Sequence, residues 1–128
     1  MVEDYLEGIL HELFVSPVVS SFKVLKREVG DEDGYIRIKC ILSNGEILEF
    51  AEYLQVLKNK IHIETYSFHW QTADGILVKR WDNVEHHKEI NSFPSHIHLS
   101  DGRVIASDQM TLKKVLKDIE KAVPLDIE

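Results

Sequence analysis

Cysteine is nearly absent from the sequence, since Cys40 is the single one in 128 residues. A lone cysteine cannot form a disulfide within the chain, and the acidic N-terminus has neither the basic nor the apolar segment of a secretory signal peptide. No apolar run approaches the roughly 20 residues of a membrane-spanning helix, and the few glycines form no phosphate-binding loop. These absences predict a cytoplasmic protein that does not bind membranes, in which Cys40 is a core thiol rather than a nucleophile.

Positive charge is also scarce, because 15 Lys and Arg stand against 22 Asp and Glu and give a net charge of −7. This balance argues against a protein whose whole surface binds nucleic acid. The acidic excess lies outside residues 58–103, where six basic and six acidic residues balance and six of the seven histidines occur. That segment is neutral and becomes basic as its histidines protonate, so it can still bind a polyanion locally.

Hydrophobic spacing predicts a helix at each end of the chain and strands between them. Residues 2–14 place their apolar side chains, Phe14 included, on one stripe, and so do residues 112–123, with an N-cap predicted at Ser107 or Asp108. Alternating runs predict about six antiparallel strands, at 18–28, 35–42, 46–53, 61–70 and 103–106 and in the hairpin arm after Gly75, whereas the chain after Asp82 is predicted to be irregular. The sequence therefore predicts one α+β domain over residues 1–128, an antiparallel sheet with the N- and C-terminal helices packed on it.

A short polar loop, Ser43-Asn44-Gly45, separates two of these runs. A three-residue loop pairs Cys40 with Leu48 and Ile38 with Phe50, and so joins apolar residues to apolar residues. This register supports the placement of Cys40 in the core.

The central hairpin is predicted at Asp74-Gly75, between two runs rich in aromatic and β-branched residues. A two-residue type I′ turn there requires a positive φ at both positions. Counting outward from this turn pairs Ala73 with Ile76, Gln71 with Val78, His69 with Arg80 and Ser67 with Asp82. A three-residue loop would instead place His69 opposite Lys79.

Side chains alternate across a strand, so this hairpin has two chemically different faces. One face carries Ser67, His69, Gln71, Arg80 and Asp82, and the other carries Tyr66, Phe68, Trp70, Leu77 and Trp81. We interpret the aromatic face as core, which is favoured for large aromatics over a surface on which RNA bases stack. His96 and His98 are two residues apart, so they share one side of an extended segment.

Five motifs follow one another through this part of the chain. They are Tyr66-Ser67-Phe68-His69-Trp70-Gln71, Asp74-Gly75, Arg80-Trp81-Asp82-Asn83, His86-His87 and Phe93-Pro94-Ser95-His96-Ile97-His98. In order and spacing they resemble the TumE family of toxins from bacterial and archaeal toxin–antitoxin pairs. The departures from the family pattern are Trp70 and Trp81 in place of tyrosines, Glu85 in place of a proline, and Ser95 and Ile97 in place of a histidine and a lysine.

The resemblance implies a growth-inhibiting toxin that acts on RNA and is neutralised by a small helix-turn-helix antitoxin. The site positions that it carries over to this chain are His69, Arg80, Asp82, His86, His87, His96 and His98. Whether the chain is a monomer or a homodimer stays open.

These residue types suit ribonuclease chemistry that needs no metal ion or other cofactor. Cleavage of RNA through its own 2′-hydroxyl requires a base, an acid for the leaving 5′-oxygen and a cation on the phosphoryl oxygens. Histidine, with a pKa near 6.5, can fill either proton-transfer role, and an arginine fork binds phosphate. We therefore predict an endoribonuclease with His69 and one of His86, His87, His96 or His98 as the acid–base pair. Arg80 would be the electrophilic group, and Asp82 would orient a histidine or Arg80.

Other interpretations remain open. One is a metal-dependent hydrolase with a zinc site drawn from Asp82 and the clustered histidines, although adjacent His86 and His87 point apart in most backbones and are poor partners on one ion. Another is a toxin that acts by binding its target without catalysis. His69 and Arg80 could also form a purely structural pair with Asp82.

Overall fold

The computed structural model describes residues 1–84 and 94–124. Within them, seven strands form one antiparallel sheet whose spatial order follows the chain from β1 to β7. The elements are α1 (Val2–Val15), β1 (Val19–Val29), β2 (Asp33–Leu42), β3 (Ile47–Leu57), β4 (Lys60–Gln71), β5 (Leu77–Asp82), β6 (His96–Leu99), β7 (Val104–Ala106) and α2 (Leu112–Ala122). The predicted α+β class is confirmed, with seven strands where about six were expected. Neither described helix has the length and apolar character needed to cross a membrane.

The hydrophobic core joins one face of the sheet to both helices. Leu6 of α1 and Ile119 of α2 are fully buried in the same cluster as the aromatic residues of β4 and β5. Trp70 is 5% exposed and Trp81 is 0% exposed, and their rings stack at a centroid distance of 6.5 Å. The core interpretation of the tryptophans is therefore confirmed, and neither ring is available to stack on an RNA base.

Two expectations about the helices are wrong. Phe14 is 82% exposed, because one residue beyond the buried Leu13 turns a helical side chain about 100° away from the stripe. The N-cap of α2 is Thr111, whose hydroxyl accepts from the backbone N–H of Lys114 at 3.3 Å. The preceding segment is held out of the helix because the backbone N–H of Met110 donates to the Tyr66 hydroxyl at 3.2 Å.

The β2–β3 hairpin has the predicted register, in which Cys40 pairs with Leu48 and Ile38 with Phe50. Cys40 is fully buried, and this burial raises the pKa of its thiol to about 12. Since the thiolate is the nucleophilic form, the prediction of a core thiol is confirmed.

The turn of the central hairpin differs from the prediction. Gly75 has a φ of +94°, but Asp74 does not have a positive φ, and its carboxylate accepts from the Thr72 hydroxyl. The backbone N–H of Gly75 donates to the Thr72 carbonyl at 3.0 Å, and the N–H of Thr72 donates to the Ile76 carbonyl at 2.8 Å. This is a longer loop than a two-residue type I′ turn, so the expected pairing of Ala73 with Ile76 is wrong.

A bulge then restores the predicted register. Gln71 pairs with Leu77 rather than with Val78, and the next pair along is Trp70 with Lys79. Val78 is therefore an extra residue on β5, which shifts the pairing by one. Beyond it, His69 pairs with Arg80 and Ser67 with Asp82, as predicted. The turn with two positive φ values lies instead between β3 and β4, at Lys58 and Asn59 (+51° and +61°).

Candidate active site on the polar face

The face of the sheet opposite the helices, which we call the polar face, carries polar side chains from five neighbouring strands. Because the side-chain period of a strand is two, residues at alternate positions of β2, β3, β4, β5 and β6 meet in two cross-strand rows. One row is Lys39, Glu49, His69, Arg80 and His98, and the other is Arg37, Ala51, Ser67, Asp82 and His96. Two adjacent rows that contain ionisable side chains thus cross the sheet side by side.

His69 and Arg80 are in contact at the centre of the polar face. Nη1 of Arg80 lies 3.3 Å from Nδ1 of His69. A guanidinium can only donate hydrogen bonds, so this contact is favourable when Nδ1 carries the lone pair and the imidazole is neutral. Burial and, next, the charge of Arg80 lower the pKa of His69, whereas a hydrogen bond with Gln71 and the charge of Glu49 act in the opposite sense. His69 is therefore held in its proton-accepting form.

Asp82 links Arg80 to two imidazoles. Its side chain is only 2% exposed, and its Oδ2 accepts from Nε of Arg80 at 2.9 Å. Nε2 of His96 lies 2.7 Å from Oδ1, and Nε2 of His98 lies 3.3 Å from Oδ2. The backbone N–H of Val84 also donates to Oδ1, at 3.1 Å. A carboxylate this deeply buried is stable when charged only with such partners.

The two histidines of β6 differ in their access to solvent. His96 is 1% exposed, and its Nδ1 lies 2.8 Å from the carbonyl oxygen of Pro94. A carbonyl only accepts, so that nitrogen carries a proton. His98 is 24% exposed and meets His96 edge-on at a centroid distance of 4.9 Å. His98 is thus the imidazole of this pair that a ligand can reach.

A cavity of about 310 Å³ opens beside His69 and Arg80 on the polar face. Its lining consists of Arg37, Lys39, Ile47, Glu49, Ser67, His69, Gln71 and Arg80. Nη1 of Arg37 donates to Glu49 at 2.8 Å, so the acidic residue among the described lining residues is paired with an arginine. Among the described lining residues, three permanent cations against one carboxylate give a local positive charge on a chain whose net charge is −7.

Five of the seven predicted site residues meet on the polar face, namely His69, Arg80, Asp82, His96 and His98. His86 and His87 lie outside the described residues. Sequence reasoning missed the part of the cavity that β2 and β3 contribute, Arg37, Lys39 and Glu49. The alternation of Arg37 and Lys39 with buried isoleucines was the available signal, but it shows a solvent-facing side and not which strands become neighbours.

Asn83 is a further residue whose role the sequence did not reveal. Its side-chain oxygen accepts from the backbone N–H of Tyr66 at 2.9 Å, and its Nδ2 donates to the carbonyl of Glu64 at 3.0 Å. The amide side chain thus extends the pairing of β4 with β5 by one step past Asp82. Asn83 is a positioning residue, because it fixes the strand end that carries Asp82.

Comparison with known proteins gives one family. A search of curated proteins and a search of solved structures each found no match to the chain. The family model described as Toxin TumE matches residues 7–123, from within α1 to just past α2. This range includes all seven predicted site positions and most of the chain. The chain therefore belongs to the TumE family of toxins.

Proposed function

We propose that this toxin is an endoribonuclease that cleaves RNA through the substrate's own 2′-hydroxyl without a metal ion. One observation supports this proposal above the others: His69 and Arg80 touch at the wall of a positively charged cavity, and the Asp82 and His98 side chains lie on the other side of Arg80. These side chains can supply a base, an acid and a phosphate-binding cation, and they lie on one face of the sheet.

His69 is the proposed base. Because its pKa is lowered, it is neutral near pH 7 and can accept a proton. When the substrate phosphate draws the Arg80 guanidinium toward itself, the lone pair on Nδ1 becomes available to the 2′-hydroxyl. His69 then takes that proton as the 2′-oxygen attacks phosphorus.

Arg80 is the proposed phosphate-binding group. It lies between His69 and His98 in the cross-strand row, and its Nε bond to Asp82 fixes the plane of the guanidinium. A planar fork of donors is suited to two phosphoryl oxygens and stabilises the charge that grows on them in the transition state.

His98 is the proposed acid. Nε2 of His98 lies 3.3 Å from Oδ2 of Asp82, and at 24% exposure His98 is the β6 imidazole that a substrate can reach. The bond from phosphorus to the 5′-oxygen breaks as His98 transfers its proton to that oxygen. The products are a 2′,3′-cyclic phosphate on one fragment and a free 5′-hydroxyl on the other, with no oxidant or metal consumed.

The cavity provides a place for the nucleotide whose 2′-hydroxyl attacks. Arg37 and Lys39 lie on its far side from Arg80 and can bind a neighbouring phosphate, while Ser67 and Gln71 offer hydrogen-bonding groups to a sugar or base. The stacked tryptophans cannot help, because they belong to the core on the other face.

We further propose a small helix-turn-helix antitoxin as the partner that neutralises this toxin. Membership of a toxin family implies an antitoxin in general, and the helix-turn-helix type follows from the family resemblance. A short helix-turn-helix reading frame beside this one, whose product co-purifies with the chain and restores growth, would support the pairing.

The direct test is incubation of the purified chain with RNA in the presence of a strong chelator. We expect cleavage by the wild type and losses on the order of 100-fold or more for His69→Ala and Arg80→Ala. His62→Ala and Arg103→Ala are matched controls, since His62 lies exposed on the same strand as His69 and Arg103 is 69% exposed beside Asp101. The controls should cleave at the wild-type rate.

The same four variants should divide in the same way in cells. We expect His69→Ala and Arg80→Ala to relieve growth arrest with little change in melting temperature, and the two controls to remain toxic. Collapse of the fold in both site variants would make them structural residues. Intact RNA with continued growth arrest would favour action by binding, and activity that zinc restores after chelation would favour a metal-dependent hydrolase.

A further inference from the structure

We propose that Asp82, His96 and His98, the Asp82 cluster, form a binding site for a zinc ion. One ligand atom from each of these residues lies within 4.8 Å of the other two. Nε2 of His96 lies 2.7 Å from Oδ1 of Asp82, and Nε2 of His98 lies 3.3 Å from Oδ2. Ligand atoms on a tetrahedral zinc are about 3.3 Å apart when each lies about 2.0 Å from the ion. The separations between the ligand atoms of the Asp82 cluster bracket that spacing.

The orientation of His96 is an independent indication. Its Nδ1 is fixed by the carbonyl oxygen of Pro94 at 2.8 Å, which leaves Nε2 facing Asp82. Zinc-bound histidines typically donate their second ring N–H to a carbonyl or carboxylate, because this contact sets the tautomer and the ring plane. The contact of His96 with Pro94 has that form.

The donor set determines which class of ion fits. Two imidazoles and one carboxylate suit zinc and similar transition-metal ions, whereas magnesium and calcium prefer oxygen ligands. His98 is 24% exposed, while His96 and Asp82 are almost fully buried. An ion can thus enter past His98 and be held by the two buried groups.

Arg80 limits the affinity of this site and gives zinc a functional effect. Its Nε lies 2.9 Å from Asp82 Oδ2, so an arriving dication competes with the guanidinium for the same carboxylate. A bound ion would also occupy Nε2 of His98, the imidazole that we propose as the proton donor. Zinc is therefore expected to inhibit RNA cleavage. This inhibition depends on the proposed function, but the binding site itself does not.

Binding is tested on the full chain by zinc titration against a chromophoric chelator at pH 7. We expect one zinc ion per wild-type chain and at least 10-fold weaker binding by His98→Ala, with His62→Ala unchanged as the control for an exposed histidine. Substitution with cobalt should give the visible absorption of tetrahedral coordination in the wild type and not in His98→Ala. Absence of stoichiometric binding, or equal binding by His98→Ala, would overturn the site. His98 is partly exposed, so its variant is expected to fold, which a thermal melt checks.

Cleavage measured across the same zinc concentrations tests the inhibitory effect separately. Inhibition that follows the occupancy measured by titration supports it. Stoichiometric binding without any effect on cleavage would refute inhibition and leave the site standing. If the chain cleaves no RNA with or without zinc but still binds the ion, the proposed ribonuclease function fails and the site does not. Cleavage that requires zinc would contradict both inhibition and metal independence.

Discussion

Nη1 of Arg80 lies 3.3 Å from Nδ1 of His69, across the pair of strands β4 and β5. The same guanidinium reaches Asp82 through its Nε at 2.9 Å. Arg80 therefore contacts the proposed base, His69, on one side and the Asp82 cluster on the other. It connects the residue that we propose as proton acceptor with the cluster that contains the proposed proton donor, His98.

The double contact of Arg80 predicts that lysine cannot replace it. Arg80→Lys keeps the positive charge near buried Asp82, but one ammonium cannot contact His69, Asp82 and a phosphate in the geometry of a planar fork. We expect RNA cleavage to fall about 100-fold and the melting temperature to change little. Arg103→Lys is the control. An Arg80→Lys variant with wild-type cleavage would show that Arg80 supplies only charge.

The pKa of His69 can be measured by NMR titration of its ring protons. We expect a value below the ordinary 6.5, because burial and the Arg80 charge both lower it. Arg80→Gln should raise the pKa of His69, and Glu49→Gln should lower it further, since Glu49 favours the imidazolium. A His69 pKa that does not respond to either change would contradict the electrostatic account.

Stability should follow from the same shift in pKa. A folded-state pKa below the unfolded one means that the unfolded chain binds more protons between the two values. The contribution of His69 to stability is therefore constant above the unfolded pKa of about 6.5. It is lost as pH falls from there through the lower folded-state pKa. His69→Gln should flatten this part of the profile, as followed by urea unfolding from pH 7 to pH 5.

Asp82 is predicted to matter for folding as well as for chemistry. Asp82→Asn removes the charge that faces Arg80, His96 and His98 in a nearly dry setting. We expect a loss of about 3 kcal/mol in the free energy of unfolding, or roughly 10 °C in melting temperature. Asp101→Asn, whose side chain is 52% exposed, should be close to neutral. Equal melting temperatures for the two variants would argue against a stabilising role for Asp82.

The contact of α1 with the sheet includes a buried pair away from the polar face. The Tyr5 hydroxyl donates to Oε1 of Glu52, and burial raises the pKa of Glu52. Tyr5→Phe leaves that carboxyl without its donor and should cost about 2 kcal/mol. Tyr53→Phe, which breaks an exposed bond to Asp33, is the control and should cost little.

The raised pKa of Glu52 also predicts a pH effect with a defined sign. The folded state holds this proton more tightly than the unfolded state, so the associated stability is present below the ordinary pKa of 4.5 and is lost as pH rises through the higher folded value. Glu52→Gln keeps a neutral acceptor for Tyr5 and should flatten that decline. Chemical denaturation of both proteins between pH 4.5 and 7 measures the difference, and parallel profiles would contradict it.

The sequence predicted much of this architecture because strand alternation determines which side chains share a face. The alignment of His69 with Arg80 and of Ser67 with Asp82 followed from counting outward from Asp74-Gly75, and it is confirmed. The predicted strand register is correct although the predicted turn type is not. A longer loop shifted the register by one, and the bulge at Val78 shifted it back. Local turn preferences do not reveal such a compensating bulge.

The cavity could not be predicted to the same extent. Arg37 and Glu49 reach it from β2 and β3, so their position depends on the order of four strands rather than on one hairpin. The deep burial of Asp82 and His96 was equally hidden, because alternation predicts a polar face but not how deeply each residue on it is covered. These long-range features determine that His98 is accessible to solvent whereas His96 is buried.

Analysis of the RNA ends tests the central claim most directly. After incubation of the purified wild-type chain with RNA in chelator, we expect fragments with 2′,3′-cyclic phosphate and 5′-hydroxyl ends, and no cleavage of the same RNA carrying 2′-O-methyl groups. Fragments with 3′-hydroxyl and 5′-phosphate ends, or cleavage of the methylated strand, would contradict attack by the substrate's 2′-oxygen and with it the assignment of His69 as the base.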